Sequence, residues 1–129
     1  MAVVNLIVAL ALLQFLAFAT AVGRARERYN VPAPATTGNE IFERYFRVQM
    51  NTLELLVVFV PGIWLFSFYG NARLGAGLGV LYLIGRCVYY FAYVKDPSKR
   101  SLGYGLSAAP VAALLIGALV GAFRAAIHH

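Results

Sequence analysis

Residues 3–22 carry no charged side chain, and that run constrains the fold more than any other feature of the chain. It is interrupted only by Asn5, Gln14 and Thr20, and it stops at Gly23, followed by Arg24, Arg26, Glu27 and Arg28. A helix needs about 20 predominantly apolar residues to cross the hydrocarbon core of a bilayer. A cleaved leader would show a basic segment and then a shorter apolar stretch. No basic residue precedes Val3, so the expectation is a retained membrane helix over about 3–23.

Three further segments are long and predominantly apolar. A proline-rich stretch, Val31-Pro32-Ala33-Pro34, cannot continue a helix and forms the one real loop, about 30–39. Beyond it Thr36, Thr37 and Asn39 are N-cap types, and Glu40 and Glu43 suit a first helical turn. The second helix is expected over about 40–69, kinked rather than broken at Pro61. A third helix follows over about 74–94, and a turn through Lys95, Asp96, Pro97 and Arg100 leads to a fourth over about 102–124. Pro110 is expected to kink that helix, and Gly117 and Gly121 suit close helix contact. Hydrophobic residues make up 61% of the 129-residue chain and charged ones only 12%. Soluble domains average about a quarter charged, so too little polar surface remains here for a water-exposed domain. The expectation is therefore all-α: an integral membrane four-helix bundle with 1–129 as its single domain.

Four crossings put both termini on one side and the first and third loops on the other. That second side gathers Arg24, Arg26, Arg28, Arg44, Arg47, Lys95, Lys99 and Arg100, against Arg73 and Arg124 opposite. By the positive-inside rule the first and third loops face the cytoplasm. The net charge of +6 has this origin, so no nucleic-acid partner is expected. The single cysteine, Cys87, excludes an internal disulfide, and no cysteine–histidine cluster points to a metal. His128 and His129, at the C-terminal end, resemble a tag remnant and are given no role.

Charged and polar side chains inside a membrane helix cost at least about 2.5–3.5 kcal/mol at its centre, so they mark function. Arg47, Asn51 and Glu54 stand at i, i+4 and i+7 and share one helical face, whereas Gln49 lies on another. Arg86, Tyr89 and Tyr93 stand at i, i+3 and i+7 on the third helix, and Arg100 opens the fourth. All belong to the same membrane half, where they would line one cavity open to the cytoplasm. Several cations beside one carboxylate suit a ligand with more than one carboxylate and one ammonium. A competing structural reading pairs Arg47 or Arg86 with Glu54 in a buried ion pair, and places Tyr89, Tyr90 and Tyr93 in an interfacial belt. Trp64 reads as lipid-facing or packing.

The stretch Phe42-Glu43-Arg44-Tyr45-Phe46-Arg47-Val48-Gln49-Met50-Asn51-Thr52-Leu53-Glu54 resembles the helix-two signature of the MAPEG family, the membrane-associated proteins in eicosanoid and glutathione metabolism. The preceding loop ending in Thr36-Thr37-Gly38 is similar too. So is Leu81-Tyr82-Leu83-Ile84-Gly85-Arg86-Cys87-Val88-Tyr89-Tyr90-Phe91-Ala92-Tyr93. The resemblance implies a homotrimer with glutathione bound between neighbouring subunits, and glutathione has the charge pattern required above. It implies glutathione contacts at Arg47, Asn51, Glu54, Arg86, Tyr89 and Tyr93, further contacts at Gln49 and Arg26, and thiolate stabilisation by Arg100. Two positions depart from the leukotriene-synthesising branch: Leu55 replaces a tyrosine and Glu27 an arginine.

A prokaryotic, general glutathione transferase of the bacterial inner membrane is the expected function. Its acceptor would be a hydrophobic electrophile, or a lipid hydroperoxide in a peroxidase side activity, drawn from the surrounding lipid. The alternative within the family is a non-catalytic protein that binds and presents a lipid. A small transporter or a structural membrane subunit would differ from both in not binding glutathione.

Overall fold

The structure is a computed structural model and describes residues 1–128; His129, given no role above, lies outside the described residues. The chain is all-α, with helices α1 (Ala2–Tyr29), α2 (Glu40–Tyr69), α3 (Ala72–Lys95) and α4 (Ser101–Ile127). A single 3-10 turn, Pro97–Lys99, precedes α4, and no strand occurs among the described residues. All four α-helices are long and apolar enough to cross a membrane.

The helix ends follow hydrogen-bonding chemistry rather than the limits of the apolar runs. α1 continues two turns past its charge-free stretch because nothing between Gly23 and Tyr29 breaks it. Asn30 then adopts the left-handed conformation (φ 56°), and the Val31 amide donates to the Arg26 carbonyl at 3.0 Å. This closes a Schellman motif, and Val31 seals it by packing with Val22, Ala25 and Phe42. Of the three expected N-cap types, Asn39 does the capping: its side chain accepts from the Phe42 amide at 2.9 Å. Asn71 caps α3 in the same way. Arg44 of α2 donates to the last carbonyls of α3, at Val94 and Lys95, and so ties the two helices together at the end that holds both longer connections. α2 and α4 run unbroken through Pro61 and Pro110.

α2 and α3 form the middle of the bundle, with α1 packed on both from one side and α4 on both from the other. The main core gathers Val4, Ile7 and Ala11 of α1, Leu56, Phe59 and Ile63 of α2, Tyr82 of α3 and Leu114 of α4. Phe59 and Tyr82 stack with ring centroids 3.9 Å apart. The three polar interruptions of α1 all find partners. Asn5 accepts from the Trp64 indole at 2.9 Å, which makes Trp64 a polar anchor as well as an apolar surface. Gln14 donates to the Leu83 carbonyl at 2.9 Å, and Thr20 to the Leu16 carbonyl of its own helix. Against α4, α3 approaches to backbone contact: a Cβ on Gly103 would stand 2.4 Å from Tyr89 Cα, and one on Gly85 2.6 Å from the Leu106 carbonyl carbon. Gly117 and Gly121 lie against Phe66 and Tyr69, the close contact expected of them.

Candidate functional site

The close α3–α4 crossing shapes what lies beside it. A cavity of about 840 Å³ opens where α2, α3 and the start of α4 meet, within the usual range of ligand sites. Arg47, Asn51 and Glu54 reach it from α2, Tyr89 and Tyr93 from α3, and Arg100 from the residue that precedes α4. Six of the nine expected site residues are thus brought together, and helical spacing explains why. Residues 47, 51 and 54 lie along one stripe of α2, and 89 and 93 one turn apart on α3, where their rings sit 5.4 Å apart.

The remaining three stand elsewhere in the chain. Arg86 is fully buried one layer behind the cavity wall. Its guanidinium donates to Asn51 Oδ1 at 2.7 Å, Thr52 Oγ1 at 3.2 Å and Ser107 Oγ at 2.7 Å, and lies 4.3 Å from the Tyr89 ring centroid. It therefore orients two cavity residues, Asn51 and Tyr89, instead of facing the cavity itself. Arg26 turns to the loop after α1, donating to the Ala35 carbonyl at 2.7 Å and the Val31 carbonyl at 3.3 Å, with its charge over the Phe42 ring. Gln49 is half-buried on a different face of α2, as its spacing required.

Neither Arg47 nor Arg86 pairs with Glu54. Among the described residues the one ion pair is Arg44–Glu40 at 3.6 Å, a surface contact one helical turn apart. The structural-pair reading of these charges is thereby overturned. Glu54 and Arg47 are both exposed to the cavity. Arg86 is the opposite case: a buried cation neutralised by no carboxylate, held by neutral oxygens and an aromatic face. Such a charge is tolerated when it is well hydrogen-bonded, here through both Nη atoms while Nε has no partner, and it leaves a positive field in the adjoining cavity.

Phe46, Met50, Ser101 and Tyr104 also line the cavity, and spacing alone did not single them out. Tyr104 stands one turn beyond Arg100 on the same face of α4, which is the signal that could have found it. It gives the cavity a third phenol, whereas Leu55, which departs from the tyrosine of the leukotriene-synthesising branch, packs against the core. No group of metal-binding side chains occurs among the described residues.

Four membrane-length helices, with a cationic cavity built into one end of the bundle, are the architecture of a membrane protein. The chain belongs to the MAPEG family, whose model matches residues 3–120. It is 47% identical over 115 residues to an uncharacterized protein of Synechocystis, covering 89% of this chain and 84% of that one. It is 41% identical over 103 residues to human microsomal glutathione S-transferase 2, covering 79% and 70%. Leukotriene C4 synthase of Cavia porcellus is 33% identical over 104 residues, covering 81% and 69%.

Proposed function

We propose that this protein is a membrane-bound glutathione transferase that joins the sulfur of glutathione to hydrophobic electrophiles drawn from the bilayer. The observation that carries the reading is the convergence of Arg47, Arg100 and a single carboxylate, Glu54, on one cavity with Arg86 buried behind it. Two cations and one anion face the ligand, and a third cation adds its field. Glutathione brings two carboxylates and one ammonium, and a second net negative charge once its thiol ionises. Arg47 and Glu54 lie seven residues apart on α2, about 10 Å along a helix rising 1.5 Å per residue. An extended tripeptide spans about the same distance, so one carboxylate reaches Arg47 while the ammonium reaches Glu54. The names of the human and guinea-pig relatives, a glutathione S-transferase and a leukotriene C4 synthase, support the reading.

In this mechanism Arg100 stabilises the thiolate. A thiol with a pKa of about 8.5 is mostly protonated at neutral pH, and only the thiolate is nucleophilic. A guanidinium beside the sulfur favours the anion, each unit of lowering being about 1.4 kcal/mol. The proton leaves to solvent, the sulfur forms a bond to the electrophilic carbon, and the leaving group departs with its electron pair. The same thiolate supports reduction of lipid hydroperoxides: two glutathione molecules convert one hydroperoxide to alcohol and water and end as the disulfide. The protein acts as a homotrimer, with Arg26 and Gln49 completing the site of a neighbouring subunit. It sits in a bacterial inner membrane with the first and third loops cytoplasmic, in keeping with the basic residues gathered there.

The test is Arg100→Ala in the detergent-solubilised protein. Turnover of 1-chloro-2,4-dinitrobenzene should fall about a hundredfold, the usual loss when one charge-stabilising group is removed. The thiolate absorbance band seen on adding glutathione should disappear, while glutathione still binds by calorimetry. Unchanged turnover removes Arg100 from the mechanism. If the unaltered protein binds glutathione but turns over no electrophile, the non-catalytic lipid-presenting function takes its place; if it binds no glutathione, the transferase reading fails in favour of a transporter or structural membrane subunit.

A further inference from the structure

Three arginines alternate at the end of α1, and the structure gives them different work. Arg26 directs one guanidinium nitrogen to the loop carbonyls. Arg24 and Arg28, one turn apart on another face, line a separate cavity of about 560 Å³ between α1, α2 and α3 that shares no residue with the first. No carboxylate lines it, and neither arginine has an ion-pair partner among the described residues. Arg28 rests over the Tyr29 ring, 5.6 Å from its centroid. The negative end of the α1 dipole favours cations here, but it amounts to about half a charge against two.

The cavity is graded along the helix axis. Arg24 and Arg28 sit just past the charge-free run, at the level where headgroups begin. Deeper along α1, Ala21, Thr20 and Ala17 leave an open groove with no large side chain; Ala17 lies seven residues below Arg24, about 10 Å at 1.5 Å per residue. Tyr45 and Tyr90 close the side. Tyr90 is held by stacking on Phe18 at 4.8 Å and by the edge of Tyr45 at 6.0 Å, so this wall is rigid. Cations at the mouth, phenols beside them and an apolar slot below match an anionic headgroup joined to a hydrocarbon tail. A soluble anion would leave the slot unfilled, and a neutral lipid would leave both guanidiniums without countercharge. We propose that this cavity binds one anionic glycerophospholipid per chain, with its phosphate between Arg24 and Arg28 and an acyl chain along Ala17 and Ala21.

The full-length protein in a neutral detergent is titrated with dioleoyl phosphatidylglycerol, dioleoyl phosphatidylcholine or inorganic phosphate. Bound lipid is counted by native mass spectrometry and affinity is read from the thermal shift. Phosphatidylglycerol should saturate at one molecule per chain, with phosphatidylcholine and phosphate giving no matching shift. A basic side chain at an anionic lipid surface contributes about a fivefold factor in binding, so Arg24→Gln with Arg28→Gln should weaken phosphatidylglycerol about 30-fold. Lys95→Gln with Lys99→Gln, in the other basic loop, should leave the affinity unchanged. Ala17→Phe, which fills the slot and keeps both charges, should also weaken it. That variant decides the matter alone if the arginine pair fails to fold. Wild-type affinity in Ala17→Phe overturns the site. So does an equal loss in the lysine variant, which would mean diffuse attraction, or saturation by phosphate alone, which would mean a soluble-anion site.

Discussion

Gly103 offers the sharpest test of how the bundle shapes its cavity. A methyl group there would stand 2.4 Å from both the Cα and the amide nitrogen of Tyr89, which are backbone atoms and cannot swing aside. Non-bonded carbons settle at about 3.5–4.0 Å, so Gly103→Ala must part α3 and α4 by about 1 Å at their crossing. Overpacking of this kind costs about 1–3 kcal/mol. The same displacement stretches the 2.7 Å bond from Arg86 to Ser107, and a weakened bond to a buried charge adds to the loss. We expect a total of about 2–4 kcal/mol, measured as unfolding free energy in a denaturing-detergent titration. Because Tyr89 carries the contact and also lines the cavity, glutathione affinity should fall in parallel when measured by calorimetry. Gly77→Ala, in α3 and with nothing within 4 Å of the added carbon, is the control. It should be neutral or stabilising by up to about 1 kcal/mol, the helix-propensity gain. A Gly103→Ala protein as stable as the Gly77→Ala protein, with unaltered glutathione binding, would refute the claim that backbone contact at this crossing sets the cavity wall.

Three other outcomes are expected. Glu54→Gln should weaken glutathione binding by about 1.5–3 kcal/mol, the loss of a charged hydrogen bond, without lowering thermal stability, since Glu54 pairs with no cation among the described residues; an equal affinity by calorimetry would separate Glu54 from the ligand. Ser107→Ala leaves one guanidinium donor of Arg86 unpaired in a buried site and should destabilise the protein by about 1–3 kcal/mol; Ser107→Thr, which keeps the hydroxyl, should restore part of the glutathione affinity lost with it. In the turn before α4, hydrogen bonds from the Ser98 hydroxyl and then its amide hold the Asp96 carboxyl below its ordinary value. A depressed folded-state pKa gives stability that is fully present above the unfolded value, about 3.9, and is lost as pH falls through the lower folded one. Thermal unfolding from pH 7 down should show this loss only below about pH 4, and Asp96→Asn should remove that component.

Much of this was legible in the chain itself, because some of its physics is local. A bilayer demands about 20 apolar residues per crossing, so the long, predominantly apolar runs set the number of helices, and the loop prolines and caps set their order. Helical periodicity put Arg47, Asn51 and Glu54 on one stripe before any neighbour was known. Spacing also set Gln49 apart from that stripe, and the structure keeps it there.

Whether a side chain on such a stripe meets a ligand or is sealed inside depends on what lies opposite, and that is not local. Arg86 belongs to the same periodic pattern as Tyr89 and Tyr93, yet α4 closes over it because Gly85 and Gly103 allow the backbones to touch. Ser107 and Thr52, distant in sequence from Arg86, then supply the oxygens that hold it. The three arginines of α1 look alike in sequence, but loop carbonyls claim Arg26 and leave Arg24 and Arg28 at an open cavity. Sequence alone determined the membrane-length helices and the stripes of polar side chains on them. Only the tertiary structure decided which of those side chains face an opening and which are enclosed, since enclosure depends on how closely two helices from distant parts of the chain approach.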